Sequence, residues 1–137
     1  MLRLMSGRGP VTTKMPTEHA EQVRVVSWFD GRYREHKGRL FSVPNGANLA
    51  GGQRQRFAQV SRLKAEGLRV GVPDLILPIA RGEYHAMAIE MKRVKGGTLS
   101  EKQKAWIRYL LEGGWHAVVC SGADEAIEKI TAYMGAE

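Results

Sequence analysis

The chain has 137 residues, a formal net charge of +7 and one cysteine. That length suits a single domain with one real core. Cys120 alone excludes an internal disulfide, and no apolar run approaches the roughly eighteen residues of a bilayer span. No signal peptide is visible, so a soluble, cytoplasmic protein is expected. The four histidines, His19, His36, His85 and His116, show no metal-ligand spacing with cysteine, which argues against structural zinc.

The excess charge is unevenly placed. Nine basic residues (Arg32, Arg34, Lys37, Arg39, Arg54, Arg56, Arg62, Lys64 and Arg69) face only Glu35 and Glu66 between Gly31 and Arg69, and the remainder of the chain is balanced. A basic segment beside a carboxylate site points to a polyanion held by one part and reacted by another. A solvated helical face gives the same count, and charge alone does not separate the two.

Residues 1–16, rich in Gly, Pro, Thr and basic side chains without periodicity, read as a flexible basic arm, and residues 17–137 as the folded domain. Thr17 is an N-cap for a helix reaching about Lys37, with Val25, Val26 and Phe29 on its inner stripe. Glu18 and Gln22 share a face beside that stripe, where an acid in the first turn commonly does no more than complement the helix dipole. Arg39 to Val43 forms a short strand ended by the turn Pro44-Asn45-Gly46. The glycine-rich run from Gly46 to Gly52 lacks the Gly-Lys-Ser/Thr ending of a phosphate-binding loop. A second helix runs from Gln53 to Glu66 and stops at Gly67, with Phe57, Val60 and Leu63 spaced for an apolar stripe. Its other face carries Arg54, Arg56, Arg62 and Lys64, suited to phosphate contacts that position a duplex without reading its sequence.

Two apolar runs follow, Asp74 to Leu77 and Tyr84 to Met91, separated by an Arg81-Gly82 turn signal, which is the pattern of paired strands. Asp74 opens the first. Glu90 and Lys92 close the second, and strand alternation puts these two on one side while Ile89 and Met91 point to the other. Charges at the end of a buried strand are costly without work to do, and the small Ala86 and Ala88 leave room beside them. A merely structural Glu–Lys pair, with Asp74 capping a strand, leaves the Gln-bearing helices and the basic segment unexplained.

Arg93 to Leu99 is a basic glycine loop in which Lys95, Gly96 and Gly97 are free to approach a backbone. Ser100 and Gln103 then form a capping box opening a helix to about Glu112, so Gln103 has a complete structural explanation. Trp106 and Leu110 continue its apolar stripe and read as core rather than base-stacking platforms. Trp115 to Cys120 is a further strand, in which Cys120 is packed rather than reactive. Ser121 and Asp124 can cap a last helix, Glu125 to Met134, with Ile127, Ile130 and Met134 facing inward. This order of elements makes an α/β domain with one central sheet and helices against it.

Pro73-Asp74 followed by Glu90-Met91-Lys92 matches the PD-(D/E)xK pattern of restriction-endonuclease-like nucleases. Glu18-x-x-x-Gln22, Pro44-Asn45-Gly46, Gly71-Val72-Pro73-Asp74, Ile89-Glu90-Met91-Lys92 and Leu99-Ser100-x-x-Gln103 occur in one order between about Thr17 and Tyr133. In this the chain resembles the VRR-NUC (virus-type replication-repair nuclease) group. The resemblance implies a restriction-endonuclease-like fold with a mixed central sheet. It also implies that Glu18, with Glu21 its rival, reaches a metal site, that Gln103 sits at the edge of the active site, and that Asn45 lies near the cleft where it can contact DNA; Arg93 and Lys95 of the basic loop are DNA-binding candidates by their charge. Similarity of stand-alone members to Holliday-junction resolvases implies a homodimer acting on branched DNA, in a phage or bacterial setting.

A phosphodiester gains negative charge in its transition state, so cutting it calls for a hard cation held by oxygen ligands. Asp74 and Glu90 supply two such ligands and the Met91 carbonyl a third. This set favours Mg²⁺ that keeps several waters, with Mn²⁺ able to replace it. Lys92 would orient a water or stabilise charge on the developing phosphorane. The expected function is a Mg²⁺-dependent, structure-selective DNA endonuclease. A flap- or duplex-cutting nuclease on the same fold, and a basic DNA-binding module without chemistry, stay open beside it. The sequence holds no visible DNA-reading module, which favours shape or branch preference over sequence specificity.

Overall fold

A mixed four-stranded sheet organises the chain. Strands β1 (Phe41–Ser42), β2 (Leu75–Leu77), β3 (Met87–Lys92) and β4 (His116–Ser121) lie side by side in that order, antiparallel from β1 to β3 and parallel from β3 to β4. Helices α1 (Glu18–Arg32), α2 (Gln53–Ala65), α3 (Glu101–Glu112) and α4 (Ala123–Met134) complete the expected α/β fold. The computed structural model describes residues 14–44 and 51–136. Only the last three residues of the expected arm are among them, and Asn45 lies outside. Among the described residues no helix is long and apolar enough to cross a membrane.

Strand alternation divides β3 between two environments. Met87, Ile89 and Met91 face one side with Leu75, Leu77 and Cys120, where Val25 and Phe29 of α1 and Ala126 and Ile130 of α4 close over them. Each of the larger side chains buried there contributes about 1.5–3 kcal/mol. Burial pushes the Cys120 thiol up to about 11, so it is packing, not a nucleophile. Ala86, Ala88 and Glu90 face the other side, and α3 is the crossover that a parallel β3–β4 pair requires.

Several elements differ from their sequence reading. The first helix stops at Arg32 rather than near Lys37, because Tyr33 turns inward against Phe29 and Trp28, and the Asp30 carboxylate takes the Gly38 N–H at 2.9 Å to fold the chain back. A 3₁₀ turn at Arg34–His36 follows, and the Arg39 N–H is spent on the His36 carbonyl, which shortens β1 to two residues. Tyr84 to Ala86 lie before β3 proper, with Tyr84 in an isolated bridge to Arg81. The last helix begins at Ala123, and neither Ser121 nor Asp124 caps it through its side chain. The Glu21 carboxylate, arriving from α1, accepts the Ala123 N–H instead.

The stripe on α2 is the largest departure. Helix α2 buries none of its residues, and Phe57 is 77% exposed. Helix α3 likewise buries none, leaving Trp106 half-buried and Tyr109 69% exposed, so Trp106 and Leu110 are not core.

Candidate active site

Asp74 lies one residue beyond the Leu75–Ile89 pair and so stands opposite Glu90 on the neighbouring strand. Its Oδ2 accepts the Met91 N–H at 2.8 Å, which fixes the carboxylate against β3. Glu90 is only 2% exposed. Two groups converge on its Oε1: the Gln103 amide donates to it at 2.8 Å, and the Lys92 ammonium lies 3.7 Å away.

The other oxygen, Oε2, is buried and has no hydrogen-bond partner. Leaving a buried charged acceptor unpaired is expensive. Burial first, then the charge and close approach of the Asp74 carboxyl, push Glu90 up to about 8; Lys92 pulls the other way, and Glu18 adds a smaller upward push. Two ionised carboxylates cannot hydrogen-bond each other, so the Asp74–Glu90 contact is satisfied only by a proton or a cation between them. The Lys92 contact is accordingly a full ion pair only when Glu90 has given up its proton. Among the described residues no three His, Cys, Asp or Glu side chains are grouped to form a metal cage. The donor set is therefore two carboxylates and whatever main-chain oxygen, water or substrate oxygen adds to them. It is hard, anionic and short of one positive charge, which fits a divalent cation with open coordination positions.

Gln103 serves two purposes at once. Its Oε1 accepts the Ser100 N–H at 2.9 Å while its own N–H binds the Ser100 hydroxyl at 3.1 Å, completing the capping box. The box uses the amide oxygen, and the amide nitrogen is left pointing at Glu90. Close backbone approach makes this reach possible. Gly71, at φ +93°, lies against the first turn of α3, where a Cβ would meet the Lys102 carbonyl carbon at 2.7 Å. Gly97 packs in the same way on Lys92, where a Cβ would come within 2.9 Å of the lysine Cβ.

The two rival acids of α1 separate cleanly. Glu21 is 6% exposed and committed to the start of α4. Glu18 lines a cleft of about 290 Å³ together with His19, Gln22, Ser42, Asp74 and Met91. Spacing alone did not divide them, because the partner of Glu21 is about a hundred residues away in sequence. His19 and Ser42 were not singled out from sequence; the cleft identifies them through their neighbours. Arg54, Arg62 and Lys64 are exposed on α2, Arg56 is drawn to the Gly51 carbonyl at 2.9 Å, and Arg93 and Lys95 are exposed in the loop after β3. The structure therefore gathers Asp74, Glu90, Lys92, Gln103 and Met91 at the end of β3 and sets Glu18 across the cleft.

The comparisons with known proteins bear on the fold and the family. The family model of the VRR-NUC domain matches residues 17–124. A solved structure, described as a VRR_NUC domain protein, is similar at a TM-score of 0.74 and 29% identity, over 89% of this chain and 91% of that one. No curated protein matches the chain. That family implies a nuclease of the restriction-endonuclease-like fold, generally dependent on a divalent metal. With residues 17–124 matched by the family model and a solved member of like fold beside it, the chain belongs to the VRR-NUC family.

Proposed function

We propose that this protein is a Mg²⁺-dependent, structure-selective DNA endonuclease that hydrolyses phosphodiester bonds at branched DNA such as Holliday junctions. The observation that carries the reading is the unpartnered, buried Oε2 of Glu90, on a side chain already pushed up by burial and by the neighbouring Asp74 carboxylate, a pair that needs positive charge. Asp74, Glu90 and the Met91 carbonyl would hold the ion, with Glu18 reaching it from across the cleft, and Mn²⁺ would substitute. The bound ion supplies Lewis-acid polarisation of the phosphate and a lowered pKa for water.

The chain's own residues do the rest. Gln103 holds Glu90 through one oxygen and leaves the other, Oε2, without a partner. Lys92, whose side chain is 13% exposed, places its ammonium beside the acids, where it can orient a water or offset charge on the phosphorus. Arg54, Arg56, Arg62, Lys64, Arg93 and Lys95 would grip phosphates, with Asn45 near the cleft. One site per chain and two strands to cut favour a two-fold homodimer. A panel of labelled four-way junction, flap and linear duplex tests this with Mg²⁺, with EDTA and with Glu90→Gln. The junction is expected to be cut fastest, and activity to vanish in the last two conditions. Cleavage that survives Glu90→Gln assigns the chemistry elsewhere, and binding with no cleavage under any condition leaves a DNA-binding module.

A further inference from the structure

Among the described residues Glu21 and Glu90 are the two buried charged side chains, and the reaction proposed above uses only Glu90. Burying a carboxylate is costly unless it has a partner. The partner of Glu21 is the Ala123 N–H at the start of α4, 102 residues away in sequence. A helix start is ordinarily satisfied by a side chain at the N-cap itself. Here that position is Gly122, at φ +90°, where a Cβ would meet Val94 Cγ2 at 2.7 Å. No capping side chain can stand there, and the acceptor comes from α1 instead.

Gly122 has a second contact, with the candidate active site. Its N–H donates to the Lys92 carbonyl at 2.9 Å, just past the Lys92–Ser121 pair that ends the β3–β4 ladder. Element ends open more readily than their middles, and Lys92 is the last residue of β3. The Gly122 bond closes the ladder behind the lysine whose ammonium lies 3.7 Å from Glu90. Glu21, Ala123, Gly122 and Lys92 thus form an unbroken line of contacts from α1 to the end of β3.

We propose that Glu21 is a positioning residue for the reaction. By fixing the start of α4 it holds Gly122 in place, and Gly122 holds the backbone of Lys92, so that the ammonium stays beside the acid pair. Reacting groups need placement to about half an ångström, which a strand end does not provide by itself. The inference rests on the nuclease reading and adds to it a side chain that acts on the active site through Gly122 and Lys92.

The test uses the full chain and two readouts. Amide hydrogen exchange reads the anchor without chemistry. In Glu21→Ala the ratio of the Gly122 to the Val118 exchange rate is expected to rise on the order of tenfold, the loosening that a lost cap allows. Glu21→Gln, whose amide oxygen still accepts the Ala123 N–H, should leave the ratio unchanged. Cleavage of a labelled four-way junction with Mg²⁺ reads the consequence. Glu21→Ala is expected to lower kcat about 10–100-fold, as loss of an orienting partner does, with KM near that of the parent, and Glu21→Gln to restore it. Ile130→Val weakens α4 away from Gly122, and should lower the melting temperature without changing kcat. If Glu21→Ala does not fold, Glu21→Asp takes its place, since its shorter side chain keeps the charge but draws the carboxylate back from Ala123. An unchanged exchange ratio or a parental kcat in the folded variant overturns the proposal. So does a fall in kcat that Ile130→Val reproduces, since Glu21 is then only a cap. A raised ratio in a protein whose parent cuts no DNA supports the anchor and rejects the nuclease reading; parental cleavage with an unchanged ratio does the reverse.

Discussion

One face of the sheet is closed by α1 and α4 over Leu75, Leu77, Met87, Ile89 and Met91; the other carries Glu90 and Lys92 beneath α3, a helix that buries none of its twelve residues. Strand β3 serves both faces through the alternation of its side chains. The first face is apolar, filled and supported by side chains far apart in sequence. The second stores an unpaired carboxylate oxygen, a lysine and small alanines, an arrangement that costs stability. Stability and chemistry are therefore separable here at the level of adjacent residues on one strand.

The largest effect expected from breaking that separation is on the polar face. Asp74→Ala and Lys92→Ala should each lower the cleavage rate on the order of 10³-fold, as loss of a charge-stabilising group does, while DNA binding measured by anisotropy is largely retained. Glu90→Gln should be equally inactive yet melt no lower than the unsubstituted protein without metal, because it removes a buried acid. Loss of folding in Glu90→Gln would contradict the view that this carboxylate serves chemistry. On the apolar face, Ile89→Ala should do the opposite. It should cost about 2–5 kcal/mol in denaturant unfolding, with activity per folded molecule nearly unchanged, although Ile89 is the immediate neighbour of Glu90.

Gln103 allows a finer cut, since its two roles respond differently to substitution. Glutamate preserves the capping box but replaces the donor to Glu90 with another acid, whereas alanine removes both. Gln103→Glu should keep the unfolding free energy near that of the parent while lowering the cleavage rate about 10–100-fold, the usual cost of losing an orienting partner. Gln103→Ala should lose both. Equal cleavage rates in Gln103→Glu and the parent would reduce the residue to a cap.

How far the sequence foretold these two faces follows from how local each feature is. The Asp74–Glu90–Lys92 cluster was legible because hairpin pairing and side-chain alternation act within about twenty residues. The capping box was legible for the same reason. The contact of Gln103 with Glu90 was not, since it depends on α3 lying against Gly71. Glu21 reads from the sequence as a rival of Glu18 for the metal because its partner, the Ala123 N–H, belongs to the other end of the chain. Phe57 and Trp106 show the limit of periodicity: helical spacing identifies an apolar stripe but carries no information on whether anything covers it. The α3 stripe reads as core from its spacing, yet neither α2 nor α3 buries any of its residues.

The smallest effect expected is thermodynamic, and it tests the proton-or-cation account of the acid pair directly. Glu90 holds its proton up to about pH 8 in the folded chain, against an ordinary value of 4.5. The folded state therefore binds more protons than the unfolded state between those values, and stability falls as pH rises through that window. The burial-depressed His116 acts in the opposite direction and only weakly above pH 7, where its unfolded form is already mostly neutral, so it does not mask the change. From pH 7 to 8.5 the metal-free protein should lose on the order of 1 kcal/mol, about 3 °C in melting temperature. Mg²⁺ should restore more of it at pH 8.5 than at pH 6, because at the lower pH the ion must displace a proton. Glu90→Gln should flatten both dependences, leaving only the small slope from the Cys120 thiol, which ionises more readily once unfolded. A parent melting curve with the same pH slope as Glu90→Gln would mean that Glu90 is already ionised without a metal, and the acid pair would no longer require a cation.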